Sequence, residues 1–208
     1  MNGVKYLTMD EADAVRQAAL EWADHDELRH RPQGILAWVV VDTAMQTGLR
    51  VAEIAMLKVG DFNPNRKTLR VHRLKRRKPV IEDLPISESH ARHLEQYLDW
   101  KRRHYKPTEP QDALFHGKHG PLGVDGMRGI WESALKRARV EKREGVSIHA
   151  ARHTLGVHLL RKTKNLRLVQ KQLGHQNPQT TAIYADVLEE DRRAGINGLY
   201  EQHDPRLG

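Results

Sequence analysis

The chain has 208 residues, of which 38% are hydrophobic, no cysteine, a formal charge of +8 and a pI near 9.8. That apolar share can build a core, so compositional disorder is excluded, and the missing cysteines exclude disulfides and thiolate zinc sites. The positive balance favours a polyanionic partner, nucleic acid before an anionic membrane surface, and the most apolar segment, Ile35 to Ala44, is too short to span a bilayer.

Met1 to Asp10 has no long apolar run and does not read as a signal peptide, so a soluble, cytoplasmic protein is expected. Thr8-Met9-Asp10-Glu11 is a capping-box pattern that opens a helix through about Ala23, with Ala12, Val15, Ala19 and Trp22 at helical spacing. Asp24 to Pro32 reads as a loop. Gln33 to Gln46 is apolar on most faces and reads as a buried helix, broken by Gly48. Arg50 to Lys58 resumes a helical pattern through Val51, Ile54, Ala55 and Leu57. Asp61 to Asn65 is turn chemistry.

Thr68 to Leu74 alternates as a strand, with Leu69, Val71 and Leu74 assigned to one side and Arg70 and His72 to the other. Val80-Ile81 and Leu84-Pro85-Ile86 add one or two short strands to a small antiparallel element. An amphipathic helix spans Ser87 to His104, with Ser87 as N-cap. Loops surround Ala113-Leu114-Phe115. Further helices are expected over Val124 to Val140, from Ser147 through Leu160, over Leu166 to Leu173 with Gly174 as stop, and from Pro178 to Leu188. The expectation is one mainly helical (α+β) domain with a small sheet.

The last third concentrates chemistry. His149 and Arg152 sit three apart and share a helix face. His175 follows the Gly174 stop, and Tyr184 lies nine residues further. Arginine forks bind non-bridging phosphate oxygens, imidazole handles protons, and a tyrosine hydroxyl can attack phosphorus when cations surround it. Taken singly these residues are ordinary: such a pair arises by chance among 13 histidines and many arginines, and most helical tyrosines only pack. Arg66 to Lys78 holds eight Lys or Arg and no acid, so this hairpin should meet DNA. The basic stretches Lys136 to Arg143 and Arg161 to Lys171 are explained equally well as solvated helix faces. His90 with His93, and His149 with His153, have metal-like spacing. No acidic or cysteine ligand accompanies either pair in a recognisable pattern, so no metal site is expected.

Taken together, Thr47-Gly48-Leu49-Arg50-Val51-Ala52-Glu53-Ile54, His149-Ala150-Ala151-Arg152-His153-Thr154, Leu173-Gly174-His175 and Tyr184 resemble the tyrosine recombinases, the phage-integrase class, in block order and in the spacing from His175 to Tyr184. The resemblance runs from about Leu7 to Leu188 and corresponds to that family's catalytic domain. It implies that Arg50 and Arg152 hold the scissile phosphate, His149 assists proton transfer, His175 bonds a non-bridging oxygen and Tyr184 is the nucleophile. Glu53 would buttress the site. A β-hairpin lysine would act as general acid; Lys75 is the assignment, with Lys78 the alternative. Arg73, Arg76, Arg77 and Lys78 are assigned to DNA. No metal, ATP or other cofactor is implied. The partners implied are double-stranded DNA and further copies of the chain, as a synaptic tetramer on DNA and a monomer when free, with no membrane.

The resemblance further implies one catalytic domain over 1–208, with a core of about 7–188 and a tail, 189–208, that can dock on a neighbouring protomer. The family's separate N-terminal core-binding domain has no counterpart in these residues, which fits either a fragment or a minimal recombinase. The leading expectation is a site-specific recombinase or integrase. The alternatives are a type IB topoisomerase-like enzyme and an inactive DNA-binding relative.

Overall fold

A computed structural model of the chain describes residues 6–29, 31–74, 80–104, 106–141, 146–174, 184, 189 and 192–193. The chain divides into two compact units, 1–155 and 156–208.

In the first unit, α1 (Met9–Glu27) opens on the expected capping box: Glu11 N donates to Thr8 Oγ1 at 3.2 Å and Thr8 N to Glu11 Oε2 at 2.9 Å. The helix outruns its expected end at Ala23. Trp22 Nε1 donates to the buried Asp26 carboxylate at 3.0 Å, which draws a charged turn onto the core side. The Asp26 carbonyl then accepts from the amides of Arg29 and Arg31, closing the helix. α2 (Gln33–Thr47) is apolar on nearly every face and is correspondingly buried. It crosses α1 closely at Gly34, where a Cβ would stand 2.8 Å from the Ala23 Cα.

Gly48 ends α2 in the left-handed region at φ 65°, donating to the Ala44 carbonyl at 3.2 Å, a conformation in which a Cβ would be strained. The helix expected over Arg50 to Lys58 is shorter. α3 (Val51–Ala55) stops because tertiary pairing captures the backbone after it: Leu114 N donates to Leu57 O, Val59 N to Asp112 O, and Lys58 bridges Ala113.

The segment expected as a turn contributes β1 (Phe62–Asn63), which pairs antiparallel with β2 (Thr68–Arg73). β3 (Val80–Pro85) is one continuous strand in register with β2, with Leu69 opposite Leu84, Val71 opposite Glu82 and Arg73 opposite Val80. The sheet order is β1-β2-β3. α4 (Glu88–Arg103) starts where Ser87 Oγ accepts from His90 N at 3.1 Å, as expected of an N-cap. A short ribbon, β4 (His116–Gly117) with β5 (Gly120–Pro121), leads to α5 (Val124–Arg137).

These elements bury one core, with Ile54, Leu69, Leu94, Leu114 and Trp131 fully enclosed. Each large apolar side chain removed from water in this way contributes about 1.5–3 kcal/mol. α6 (His149–Thr163) starts in this unit, and the unit boundary falls within it. Its Thr154 Oγ1 accepts from the Leu7 amide at 2.9 Å, tying the chain just before α1 to α6 across 147 residues.

In the second unit, Asn165 Oδ1 accepts from Leu168 N at 3.0 Å and starts α7 (Leu166–Leu173), which ends at Gly174 as expected. Among the described residues of this unit, Val157, Leu160, Val169, Leu173 and Tyr184 are the buried hydrophobic side chains. Apart from Tyr184, the helical segment expected over Pro178 to Leu188 lies outside the described residues.

Candidate active site

The Gly48 turn delivers Arg50 to the head of α3. There the Arg50 amide and guanidinium both bond Glu53, to Oε2 at 2.9 Å and from Nη1 to Oε1 at 2.9 Å. The Glu53 side chain is fully buried, whereas that of Arg50 keeps 21% of its surface exposed. The guanidinium is therefore held on Glu53 through Nη1 while the side chain stays partly open to solvent. Glu53 is thus more than a surface partner of Arg50.

Arg73 approaches the same carboxylate from β2. Its Nη1 lies 3.4 Å from Glu53 Oε2, and its Nε and Nη2 meet Glu82 Oε1 on β3 at 2.7 and 2.6 Å. The Leu74 amide also points to Glu53, at 3.5 Å. Two guanidiniums and two carboxylates compensate one another, which is the condition for burying such charges. Burial alone would raise the Glu53 carboxyl pKa. The hydrogen bonds from the Arg50 backbone and side chain, and then the charges of Arg50 and Arg73, outweigh it and hold the pKa below the usual value.

The assignment of Arg73 to DNA is corrected here. Its side chain is 1% exposed and committed to Glu53 and Glu82, so it cannot reach a phosphate. The reason is strand parity: 69, 71 and 73 are the buried positions of β2, while Leu74, assigned to that face from the sequence, is half exposed. Arg73 instead ties the hairpin to the helix that carries Arg50. The roles of Glu82 and Arg73 escaped the sequence reading, although strict alternation would have placed residue 73 inside.

Arg152 enters from the first turn of α6. It is 5% exposed, and its Nη1 donates to the Gly48 carbonyl at 2.6 Å. This puts the second arginine on the turn that leads, two residues on, to Arg50. His149 lies one helical turn earlier on the same face, exposed at the N-terminus of α6, where its amide donates to Ser147 Oγ at 3.3 Å. The first unit thus gathers Arg50, Glu53, His149 and Arg152. Two arginines anchored on fixed acceptors and an accessible imidazole suit an anionic oxygen ligand such as a phosphodiester.

In the second unit, Tyr184 is 1% exposed and its ring lies against Gly156 of α6. A Cβ on Gly156 would stand 2.9 Å from the Tyr184 Cζ and closer still to the phenol oxygen. Only glycine leaves room for the ring there, a constraint the sequence did not reveal. Lys75, Arg76, Arg77, Lys78 and His175 lie outside the described residues.

The chain is similar to known proteins in sequence and fold. The model of the phage integrase family matches residues 5–191, and the chain belongs to that family. It is 32% identical over 170 residues to the tyrosine recombinase XerC of Halalkalibacterium halodurans, covering 79% of this chain and 53% of that protein. It is 30% identical over 179 residues to XerC of Bacillus subtilis, covering 85% and 56%. The chain spans about half the length of these curated relatives. Among solved structures, XerA recombinase superposes with a TM-score of 0.69 at 26% identity, covering 96% of this chain and 65% of that one. The lambda integrase catalytic core, at 18% identity, shares the fold with a TM-score of 0.59, covering 82% of this chain and 91% of that one.

Proposed function

We propose that this chain cuts and rejoins DNA at specific sites through a covalent tyrosine intermediate. The observation that carries this reading is the pairing of two anchored arginines, Arg50 on Glu53 and Arg152 on the Gly48 carbonyl, at one turn. They receive the non-bridging oxygens of the scissile phosphate and offset the charge that grows in the pentacoordinate transition state. Tyr184 Oη attacks phosphorus and its proton passes to His149. A 3′-phosphotyrosyl bond forms and the 5′-oxygen leaves, taking a proton from Lys75, with Lys78 the alternative donor. His175 bonds a non-bridging oxygen. A 5′-hydroxyl from a second strand reverses the step, so the phosphotyrosyl bond conserves the energy and no cofactor is consumed.

Arg76, Arg77 and Lys78 contact DNA backbone in this reading. Further copies of the chain assemble on DNA as a synaptic tetramer, with the segment 189–208 docking on a neighbour. Among the described residues no helix is long and apolar enough to cross a membrane. The proposed setting is the cytoplasm, where DNA is available.

The test uses a pool of random-sequence duplexes, each nicked so that the cleaved 5′ end diffuses away. Wild type is expected to give a protein–DNA adduct that survives SDS, with one sequence enriched in it. Tyr184→Phe is expected to give none. No adduct from wild type, or an equal adduct from Tyr184→Phe, rejects the proposal. Adducts without sequence preference, with relaxation of any supercoiled plasmid, would assign strand passage in place of recombination.

A further inference from the structure

α2 carries one carboxylate into an otherwise apolar stretch. Asp42 is 3% exposed and sits among Val39, Val40, Val41 and Ala44. α4 brings two imidazoles to it, His90 and His93, one helical turn apart. The Nδ1 atoms of both rings converge on the same oxygen, Asp42 Oδ2, at 2.7 and 2.8 Å. The other oxygen, Oδ1, accepts from Gln46 Nε2 at 2.8 Å. One potential ligand atom from each of the three residues lies within 4.8 Å of the others. His93 and Asp42 also line a cleft of about 680 Å³ shared with Arg16, Gln17 and Trp38.

We propose that Asp42, His90 and His93 form a binding site for one borderline divalent transition-metal ion, of the class of Zn²⁺, Ni²⁺ and Co²⁺. Two imidazole nitrogens and one carboxylate oxygen are the donor set for such ions, whereas Mg²⁺ and Ca²⁺ select oxygen alone. Nδ1 is the ligating atom of His90, because its Nε2 points into the protein interior and has no hydrogen-bond partner among the described residues. Bonds of about 2.0–2.1 Å at tetrahedral angles set ligand atoms about 3.3 Å apart. Asp42 Oδ2 therefore needs to part from each Nδ1 by about half an ångström from the present 2.7 and 2.8 Å. His93 can make that adjustment, since its side chain is 26% exposed at the cleft and meets the Trp38 ring at a tilt. Water from the cleft completes the coordination. Gln46, already on Oδ1, orients the carboxylate from outside.

The facing charges come from α1. Arg16 Nη2 is 3.7 Å from Asp42 Oδ1 and opposes a cation, and Asp13, 3.9 Å from Arg16, partly offsets it. The Arg16 side chain is 43% exposed and can turn into solvent. Both rings bind the ion as neutral imidazole, the form whose Nδ1 offers a lone pair. A bound ion cross-links α2 to α4 and braces the helix that runs into Gly48 and Arg50.

The test is direct binding, so it stands apart from any failure of DNA cleavage. Untagged protein, stripped with EDTA, is titrated with ZnCl₂ and with NiCl₂ by calorimetry and with CoCl₂ by visible absorption. Expected are one ion per chain, a Co²⁺ spectrum of low-symmetry coordination, and a thermal midpoint that rises with ZnCl₂. His93→Ala and His93→Gln should each weaken binding by at least about tenfold, the lower end of what losing even an outer partner does. The glutamine variant keeps a hydrogen-bond donor for Asp42, so its thermal midpoint in EDTA should stay near wild type. No saturable binding to wild type, or isotherms for both variants that superimpose on wild type, would overturn the proposal.

Discussion

Arg152 and Gly48 lie 104 residues apart and are joined by a 2.6 Å hydrogen bond from the guanidinium to the carbonyl. That carbonyl is presented because Gly48 turns the chain left-handed between α2 and α3. The bond seats the head of α6 on the same turn that delivers Arg50. A second arginine fork is thereby aimed by backbone, which does not rotate away as a side-chain partner could.

Arg152→Lys should lower the rate of adduct formation on the nicked substrates by about 10²–10³-fold, the usual loss when a transition-state donor is removed. A lysine ammonium cannot bond the Gly48 carbonyl and still present a planar fork to phosphate. DNA affinity should change much less, because other backbone contacts remain. Single-turnover cleavage and a salt titration of binding measure the two effects, and a wild-type rate would contradict this geometry.

Arg73→Met tests whether Arg73 anchors the hairpin or touches DNA. Removing the buried cation leaves Glu53 short of one partner, so unfolding stability in urea should fall by about 3–5 kcal/mol. A DNA contact would show instead as a shallower dependence of affinity on salt, by about one unit of slope. The expected result is lost stability with the slope unchanged for the folded protein at low temperature.

Gly156→Ala should displace the Tyr184 phenol, because the added methyl enters the space of the ring. A shift of about 1 Å at a reacting group can slow a reaction about 10²-fold, so cleavage should drop while DNA binding persists. Gly129→Ala on α5 is the control. A Cβ there meets nothing within 4 Å, so that change should stabilise the helix by about 0.5–1 kcal/mol.

The Glu53 pKa is depressed in the folded chain. Its contribution to stability is therefore fully present above the unfolded value of about 4.3 and is lost as pH falls through the folded value. Urea midpoints followed from neutral pH into acid should fall more steeply for wild type than for Glu53→Gln. Parallel curves would show that Glu53 takes no part in the acid response.

Local signals settled much of this protein in advance. The Thr8 and Glu11 box, the Ser87 cap, the apolar α2, the Gly48 and Gly174 stops and the strand alternation each follow from interactions between near neighbours in the chain. The candidate residue types Arg50, Glu53, His149, Arg152 and Tyr184 could also be named from sequence, because a phosphodiester calls for such groups and the spacing matched a known pattern; the first four lie together in one unit. Tertiary structure decided what depends on partners distant in sequence. It ended α3 early by pairing Lys58 with Ala113, and it turned Arg73 inward to Glu53 and Glu82. It brought Asp42 to His90 and His93, the acidic companion that the histidine spacing alone had lacked. The physical reason is the same each time. A buried charge or backbone group must find its complement wherever the fold places it, and linear spacing carries no record of a partner many residues away.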